Sequence, residues 1–261
     1  MIVVFGGTTE GKLVARFLDK RAAEYLYSTK TEIEPFFMKY GEYRSGVLDE
    51  EQMEVFFKRR NATVIIDAAH PFASLLHETI AGVCLRLSLP VIRFERTYEI
   101  PEEAVHSSNV YYANSFPEAV DLLKALRPQR VLAMTGVQTI ELLKPYWSEH
   151  EMKIRILPSG QSVISANKQG FPTGDLVLLR PSGLLEEERR IITAYGIDCL
   201  LVKESGTSGF LPVKIKAAMT CGIRVVVVKR PLLPESFITV TTGAELNREI
   251  DRIGRIYHAE R

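Results

Sequence analysis

The stretch Met1 to Leu18, MIVVFGGTTEGKLVARFL, decides the fold. Ile2 to Phe5 is a short apolar run of β-forming residues, and Leu13, Val14, Phe17 and Leu18 recur at helical spacing. A strand, a glycine turn and a helix therefore follow one another. At the carboxyl end of a parallel strand, such a turn aims the first N–H groups of the helix at one point, where the helix dipole also favours an anion. The dinucleotide fingerprint is G-x-G-x-x-G with an acidic residue about 20 residues further on, and Gly6, Gly7 and Gly11 match it in part. Two readings stand for GGTTE at Gly6 to Glu10: a phosphate cradle, or glycines that serve only the backbone angles of a β-to-α turn.

Outward from this stretch the same alternation continues. Glu24 to Thr29 reads as a second strand, Glu50 to Lys58 as a helix, Thr63 to Ile66 as a buried strand, Ser74 to Leu87 as a long helix, and LPVIRF as the next strand. Thr97 to Asn109 loses periodicity and gathers polar and turn-forming residues, which marks a linker. A second winding follows, with strands near 109–112, 153–157, 176–179, 199–202 and 224–228, a strand–glycine–helix unit in RVLAMTGVQTIELL, and closing helices at 184–195 and 247–257. The segment 157–174 reads as a short helix with loops or as a mobile lid. Strands alternating with helices imply an α/β protein of parallel sheets flanked by helices. We divide it into an N-terminal lobe, 1–108, and a C-terminal lobe, 109–261.

Composition narrows the partners. The chain has 261 residues, 46% hydrophobic and 25% charged, with a net charge of +1, so nothing draws it globally to nucleic acid or membrane, and any anion site must be built locally. Cys84, Cys199 and Cys221 are far apart, in apolar patterns and without a C-x-x-C pair, and read as core residues in a reducing compartment. No metal site is expected, and no apolar run approaches the roughly 20 residues needed to span a bilayer. A first strand beginning at Ile2 leaves no space for an apolar leader, and we expect a cytoplasmic protein.

Four loops have the position and polarity for chemistry: FGGTTE, IDAAHPFA, AMTGVQT and LVKESGTSG. In the last, Lys203, Ser205 and Gly206 precede a helix and suit an anion, or else form a flexible loop with a capping serine. Lys203 follows a buried strand, where burial lowers its pKa or demands an anionic partner. His70 can move a proton or donate to a carboxylate; alternatively, His70 and Asp67 brace the turn that Pro71 stiffens. Arg93 and Arg96, near a strand end, suit bidentate recognition of carboxylates or phosphates, or form surface ion pairs. No G-x-S-x-G elbow and no G-x-x-x-x-G-K-[ST] loop is present, which argues against a serine hydrolase and a nucleotide triphosphatase.

Taken in order, GGTTE, DAAHPFA, LPVIRFER, MTG at Met134 to Gly136, LVKESG with VKIKAA, and VVVVKRP resemble the precorrin-6A reductase family of cobalamin (vitamin B12) biosynthesis, from residue 2 to about 231. Departures are Ala69 where the family often has threonine, Thr207 where it commonly has a further glycine, and RPSGLL before the helix at 184. The resemblance implies two Rossmann-like lobes with the active site in the cleft between them, and NAD(P)H-dependent hydride transfer to C19 of precorrin-6A, or of its cobalt-containing counterpart. It implies a tetrapyrrole polycarboxylate substrate and no nucleic-acid or membrane partner, in a monomer or small homo-oligomer. We assign Gly6, Gly7, Thr8, Thr9 and Glu10 to the cofactor pyrophosphate, and Ser28, Thr29 and Lys30 to its adenosine end. Lys30 beside hydroxyls favours NADPH, with NADH possible. Lys203 and His70 are the catalytic candidates, and Thr135, Gly136, Ser205, Gly206, Arg93 and Arg96 the substrate-binding ones. The rival readings are a two-lobed sugar-nucleotide-dependent transferase and a non-catalytic NAD(P)-sensing protein.

Overall fold

The computed structural model describes residues 1–98 and 107–259. The chain forms two compact units, Met1–Thr97 with Leu232–Arg261, and Tyr98–Pro231. The expected linker, 97–109, begins at this boundary, and most of it lies outside the described residues.

In the first unit, β1 (Ile2–Phe5), β2 (Tyr25–Thr29), β3 (Gly41–Ser45), β4 (Val64–Asp67), β5 (Val91–Phe94) and β12 (Phe237–Val240) form one sheet in the order β12-β5-β4-β1-β2-β3. Every pairing is parallel, with Val3 level with Leu26 and Ile65. The central strands read as unbroken apolar runs because both faces are covered: Val3, Val4, Ile65 and Ile66 are fully buried. One face packs on α1 (Thr9–Lys20) and α9 (Gly243–Ala259), the other on α2 (Glu50–Arg59) and α3 (Ser74–Leu87). Two of these helices begin where the sequence satisfies the first orphan N–H groups: Thr8 caps α1 by accepting from Gly11 N, and Asp49 and Gln52 form a reciprocal capping box on α2.

The second unit repeats the plan. Its strands are β6 (Val110–Ala113), β7 (Val131–Ala133), β8 (Met152–Ile156), β9 (Leu176–Leu178), β10 (Cys199–Lys203) and β11 (Arg224–Val228), in the order β6-β11-β10-β7-β8-β9, again all parallel. Connecting helices include α4 (Phe116–Leu126), α5 (Lys144–Trp147), α6 (Gly160–Lys168), α7 (Leu185–Ala194) and α8 (Leu211–Thr220). The segment 157–174, expected as a short helix or a lid, holds α6, capped by Ser159.

The division at 108/109 needs correction. The tail does not stay with the second winding: β12 pairs with β5, and Leu246, Ile250 and Ile253 of α9 pack in one cluster with Val14, Leu18 and Tyr25. The amphipathic stripe of α9 finds its apolar partner on α1, and burying such side chains stabilises by about 1.5–3 kcal/mol each. The second unit is thus an insertion between β5 and β12.

In the first sheet the chain winds outward from β1, and in the second, after β6 at the edge, outward from β7; each then returns to lay the next strand on the other side of that central strand. That reversal falls between β1 and β4 in the first unit and between β7 and β10 in the second. Such switch points open crevices at the carboxyl ends of the strands. FGGTTE and IDAAHPFA flank the first, AMTGVQT and LVKESGTSG the second.

Candidate functional site

At the first switch point, the two glycine explanations for GGTTE divide among the residues. A Cβ on Gly6 would stand 2.2 Å from Tyr27 Cζ, and one on Gly11 2.5 Å from Tyr27 Oη, so these two glycines make room for a buried tyrosine. Gly7 differs: its φ is +90°, and the nearest atom to an added Cβ is Thr29 Cγ2 at 3.7 Å. Gly7 needs glycine for conformation, and beside it the surface is open. Gly7 N–H donates to Tyr27 Oη at 2.9 Å, and Thr8 Oγ1 donates to the Ala68 carbonyl at 2.6 Å, which ties the two switch-point loops together. At the start of α1 the N–H groups of Thr8 and Thr9 make no hydrogen bond within the described residues. Exposed Gly7 and these N–H groups suit a bound phosphate.

Ser28 and Thr29 are buried at the end of β2, next to β1, and Lys30 follows, exposed. Thr29 Oγ1 donates to the Thr31 carbonyl at 2.8 Å and lies 2.8 Å from Tyr43 Oη.

The loop after β4 is held by buried charges. Asp67 Oδ1 accepts from Arg93 Nη1 at 3.0 Å and from Ala69 N at 3.0 Å, while Oδ2 lies 2.7 Å from His77 Nδ1. Burial alone would raise the Asp67 pKa, but the His77 contact, the Arg93 charge and the Ala69 N–H outweigh it and hold it below the ordinary value. His77 Nε2 lies 3.2 Å from the His70 carbonyl, and His70 Nδ1 accepts from Phe72 N at 3.2 Å. His70 therefore sits half-buried in a loop braced by Asp67 through Arg93 and His77.

Arg93 and Arg96, expected as anion anchors, are committed inside the unit. Arg93 is 1% exposed, with Asp67, the Ala69 carbonyl and Glu95 around its guanidinium. Arg96 Nη2 pairs with Glu10 Oε2 at 3.0 Å. Glu10 is itself buried, so its part is to bind Arg96 from the first turn of α1. The residue types suited anions, but the anions they meet are the protein's own carboxylates.

At the second switch point, Thr135 and Lys203 each lie two residues past the paired Ala133 and Leu201. Buried Thr135 Oγ1 lies 2.6 Å from Thr139 Oγ1, and Gly136, at φ +83°, has open space where a Cβ would stand. Ser205 N donates to the Lys203 carbonyl at 2.7 Å, Gly206 takes φ +69°, and the turn Thr207–Gly209 leads into α8. Phe210, at φ +56°, adopts the left-handed region, a strained state for a bulky residue of the kind concentrated at ligand loops. Burial lowers the Lys203 pKa to about 8.

Behind this loop lies a cluster that periodicity did not reveal. Arg155 Nη1 donates to both carboxylate oxygens of Glu188, at 2.9 and 2.8 Å, with both side chains buried. Lys214, on the second turn of α8, is buried and donates from Nζ to the Gly209 carbonyl at 2.7 Å. Burial, with the nearby positive charge of Arg155, lowers its pKa to about 7 against the opposing pull of Glu188. Lys214 belongs to the quoted VKIKAA motif and Glu188 to a charge run readable as a solvated face. A helical position aimed at the sheet was the available signal. A separate cavity of about 620 Å³ opens at the other ends of β7 and β8, near Trp147, His150 and Phe171, and its charges pair among themselves as Arg130–Glu151 and Lys153–Asp175.

Two all-parallel sheets with polar glycine loops at both switch points define an α/β protein of the Rossmann-like type. The model of the family described as precorrin-6x reductase CbiJ/CobK matches residues 1–251. The chain belongs to that family. It is similar to the cobalt-precorrin-6A reductase of Salmonella typhimurium, 24% identical with 94% of this chain and 90% of that protein covered. It is 27% identical to the precorrin-6A reductase of Mycobacterium tuberculosis, over 92% of each. The solved structure of CobK precorrin-6A reductase covers 97% of both chains with a TM-score of 0.79 at 21% identity, a likeness of fold. Among the described residues no helix is long and apolar enough to cross a membrane.

Proposed function

We propose that the protein reduces precorrin-6A, or cobalt-precorrin-6A, to the 6B dihydro form with a reduced nicotinamide dinucleotide. The observation that carries the reading is the placement of the motif loops at the two switch points, where α/β sheets take ligands. When bound, the dinucleotide supplies the hydride delivered to C19 of the macrocycle.

The chain's own residues do the rest. Gly7 and the N–H groups of Thr8 and Thr9 receive the pyrophosphate, with Ser28, Thr29 and Lys30 at the adenosine end. Without an acid directly after β2, the 2′-phosphate of NADPH is favoured over the bare hydroxyl of NADH. Thr135, Gly136, Ser205 and Gly206 orient the macrocycle's carboxylates. Hydride arrival must be matched by one proton on the conjugated system. Lys203, with a pKa near 8, carries that proton at neutral pH and releases it readily; His70 is the alternative donor. Lys214 holds the Gly209 carbonyl and so fixes the loop in which Ser205 and Gly206 lie.

The test is titration of the purified protein with NADPH and NADH, followed by nicotinamide fluorescence, and then turnover of precorrin-6A. Binding of either dinucleotide and consumption of the macrocycle are expected. Absence of both refutes the proposal.

A further inference from the structure

Three leucines stand out of the core at the carboxyl end of the second sheet. Leu157, which follows β8, is 50% exposed; Leu179, which follows β9, is 42% exposed; and Leu184, which precedes α7, is 58% exposed. Ile156 and Leu178 are the last paired couple of the two strands, and Leu179 N–H still donates to the Ile156 carbonyl at 3.2 Å, so Leu157 and Leu179 leave the sheet side by side. Leu184 is brought toward them by α7, where Glu188, one turn further on, holds Arg155, two residues before Leu157. Half-buried Phe210 joins the group from the loop after β10. Its ring lies on the backbone of Gly183, beside Leu184: a Cβ added to that glycine would stand 2.7 Å from Phe210 Cδ1 and Cε1.

Large apolar side chains left in water forgo the stabilisation that burial brings, and a group of them beside polar loops marks a surface where something apolar docks. The backbone here is shaped to keep them outside. Phe210 takes φ +56° and Gly183 φ +73°, and a bulky residue in the left-handed region is strained. The fit of the ring on Gly183 holds Phe210 in that state, as does the bond from Lys214 Nζ to the carbonyl of the preceding residue, Gly209, at 2.7 Å.

The neighbouring groups identify the occupant. Thr135, Gly136, Ser205 and Gly206, at the same end of the sheet, offer hydroxyls and N–H groups to carboxylates. In the Arg155–Glu188–Lys214 cluster two basic side chains share one carboxylate, which favours a polyanion nearby. A conjugated tetrapyrrole has two apolar faces inside its fringe of carboxylates, and groups that hold the fringe leave those faces uncovered. We propose that Leu157, Leu179, Leu184 and Phe210 form an apolar shelf that takes one face of the macrocycle and sets its affinity. This rests on the reductase reading above and adds the residues that bind the ring itself.

Leu179→Ser, Leu184→Ser and the double variant are compared with the parent in precorrin-6A turnover, NADPH titration and sedimentation, with Leu85→Ser, at an exposed leucine of α3, as the control. Each single change should raise KM for the macrocycle about threefold to tenfold, and the pair about tenfold to hundredfold, with kcat and NADPH affinity within about twofold of the parent. Leu179→Met and Leu184→Met keep the apolar surface and should hold KM near the parent value. The ratio of variant to parent KM should not change with salt, because apolar contact is unscreened, whereas contacts to carboxylates weaken. Melting temperature monitors the fold. A KM unmoved in the double variant, or a rise matched by Leu85→Ser, overturns the inference and leaves the reductase reading standing. So does a lower oligomeric state in the variants, which assigns the patch to a second copy of this chain. A folded parent that turns over no precorrin-6A brings down the reductase reading and the shelf with it.

Discussion

Replacing Gly6 by alanine tests whether the opening glycines serve packing or phosphate. The new methyl carbon would stand 2.2 Å from both Cζ and Oη of Tyr27 and 2.6 Å from Cε2. Tyr27 is fully buried, edge-on to Phe36 at 5.2 Å, and hemmed by Gly11, so its ring has no free space into which to retreat. Overpacking of this kind costs about 1–3 kcal/mol, and displacing the phenol from Gly7 N–H about 1 kcal/mol more, for a total of about 2–4 kcal/mol. Urea unfolding of the variant measures the loss directly, and the melting temperature should fall by about 2–4 °C for each kcal/mol. Tyr27→Leu in the Gly6→Ala background should recover about 1–2 kcal/mol of it, as coupled neighbours do. Gly7→Ala is the contrast: its methyl has space, so the cost is the positive φ alone, about 1–2 kcal/mol, and NADPH affinity should drop through disturbance of the cradle. If Gly6→Ala unfolds within about 0.5 kcal/mol of the parent, Tyr27 is not what demands that glycine.

Lys203→Met should lower kcat by about 10²- to 10⁴-fold with NADPH affinity nearly unchanged, and the parent's activity should decline as pH rises through about 8; a variant that keeps this alkaline limb assigns the proton to another group. Lys214 has a folded pKa near 7 against 10.5 when unfolded. Between those values the unfolded chain therefore binds more protons, and stability rises with pH across that window. Lys214→Met should flatten the rise, most clearly between about pH 8 and 10 where the folded lysine is neutral and the unfolded one still charged, in urea titrations run from pH 6 to 10; a slope equal to the parent's contradicts the assignment. Glu188→Gln leaves Arg155 and Lys214 without their shared counter-charge and should cost about 3–5 kcal/mol. A loss under about 1 kcal/mol in the same unfolding assay would mean the cluster is solvated.

Much of the fold is legible in the sequence because the central strands, buried on both faces, leave continuous apolar runs such as Thr63 to Ile66 and Arg224 to Val228. The two strands that sequence reading did not find, β3 (GEYRS) and β12 (FITV), are the edges of the first sheet, where partial exposure admits polar residues and erases the signal. The order of the motif loops also pointed to the family whose model the chain matches.

Which side chains are available to a ligand was decided only by tertiary structure. Arg93 and Arg96 have the chemistry of anion anchors, yet Asp67, Glu95 and Glu10 reach them from elements distant in sequence or from the strand end itself. Arg155 and Lys214 come from β8 and α8 to share Glu188, and no spacing announces that meeting. The return of Leu232–Arg261 to the first unit follows from apolar partners on β5 and α1. Local sequence determines where strands, turns and helices form, because backbone propensity and burial period are local; the pairing of charges and the closing of a sheet depend on residues that only folding brings within contact.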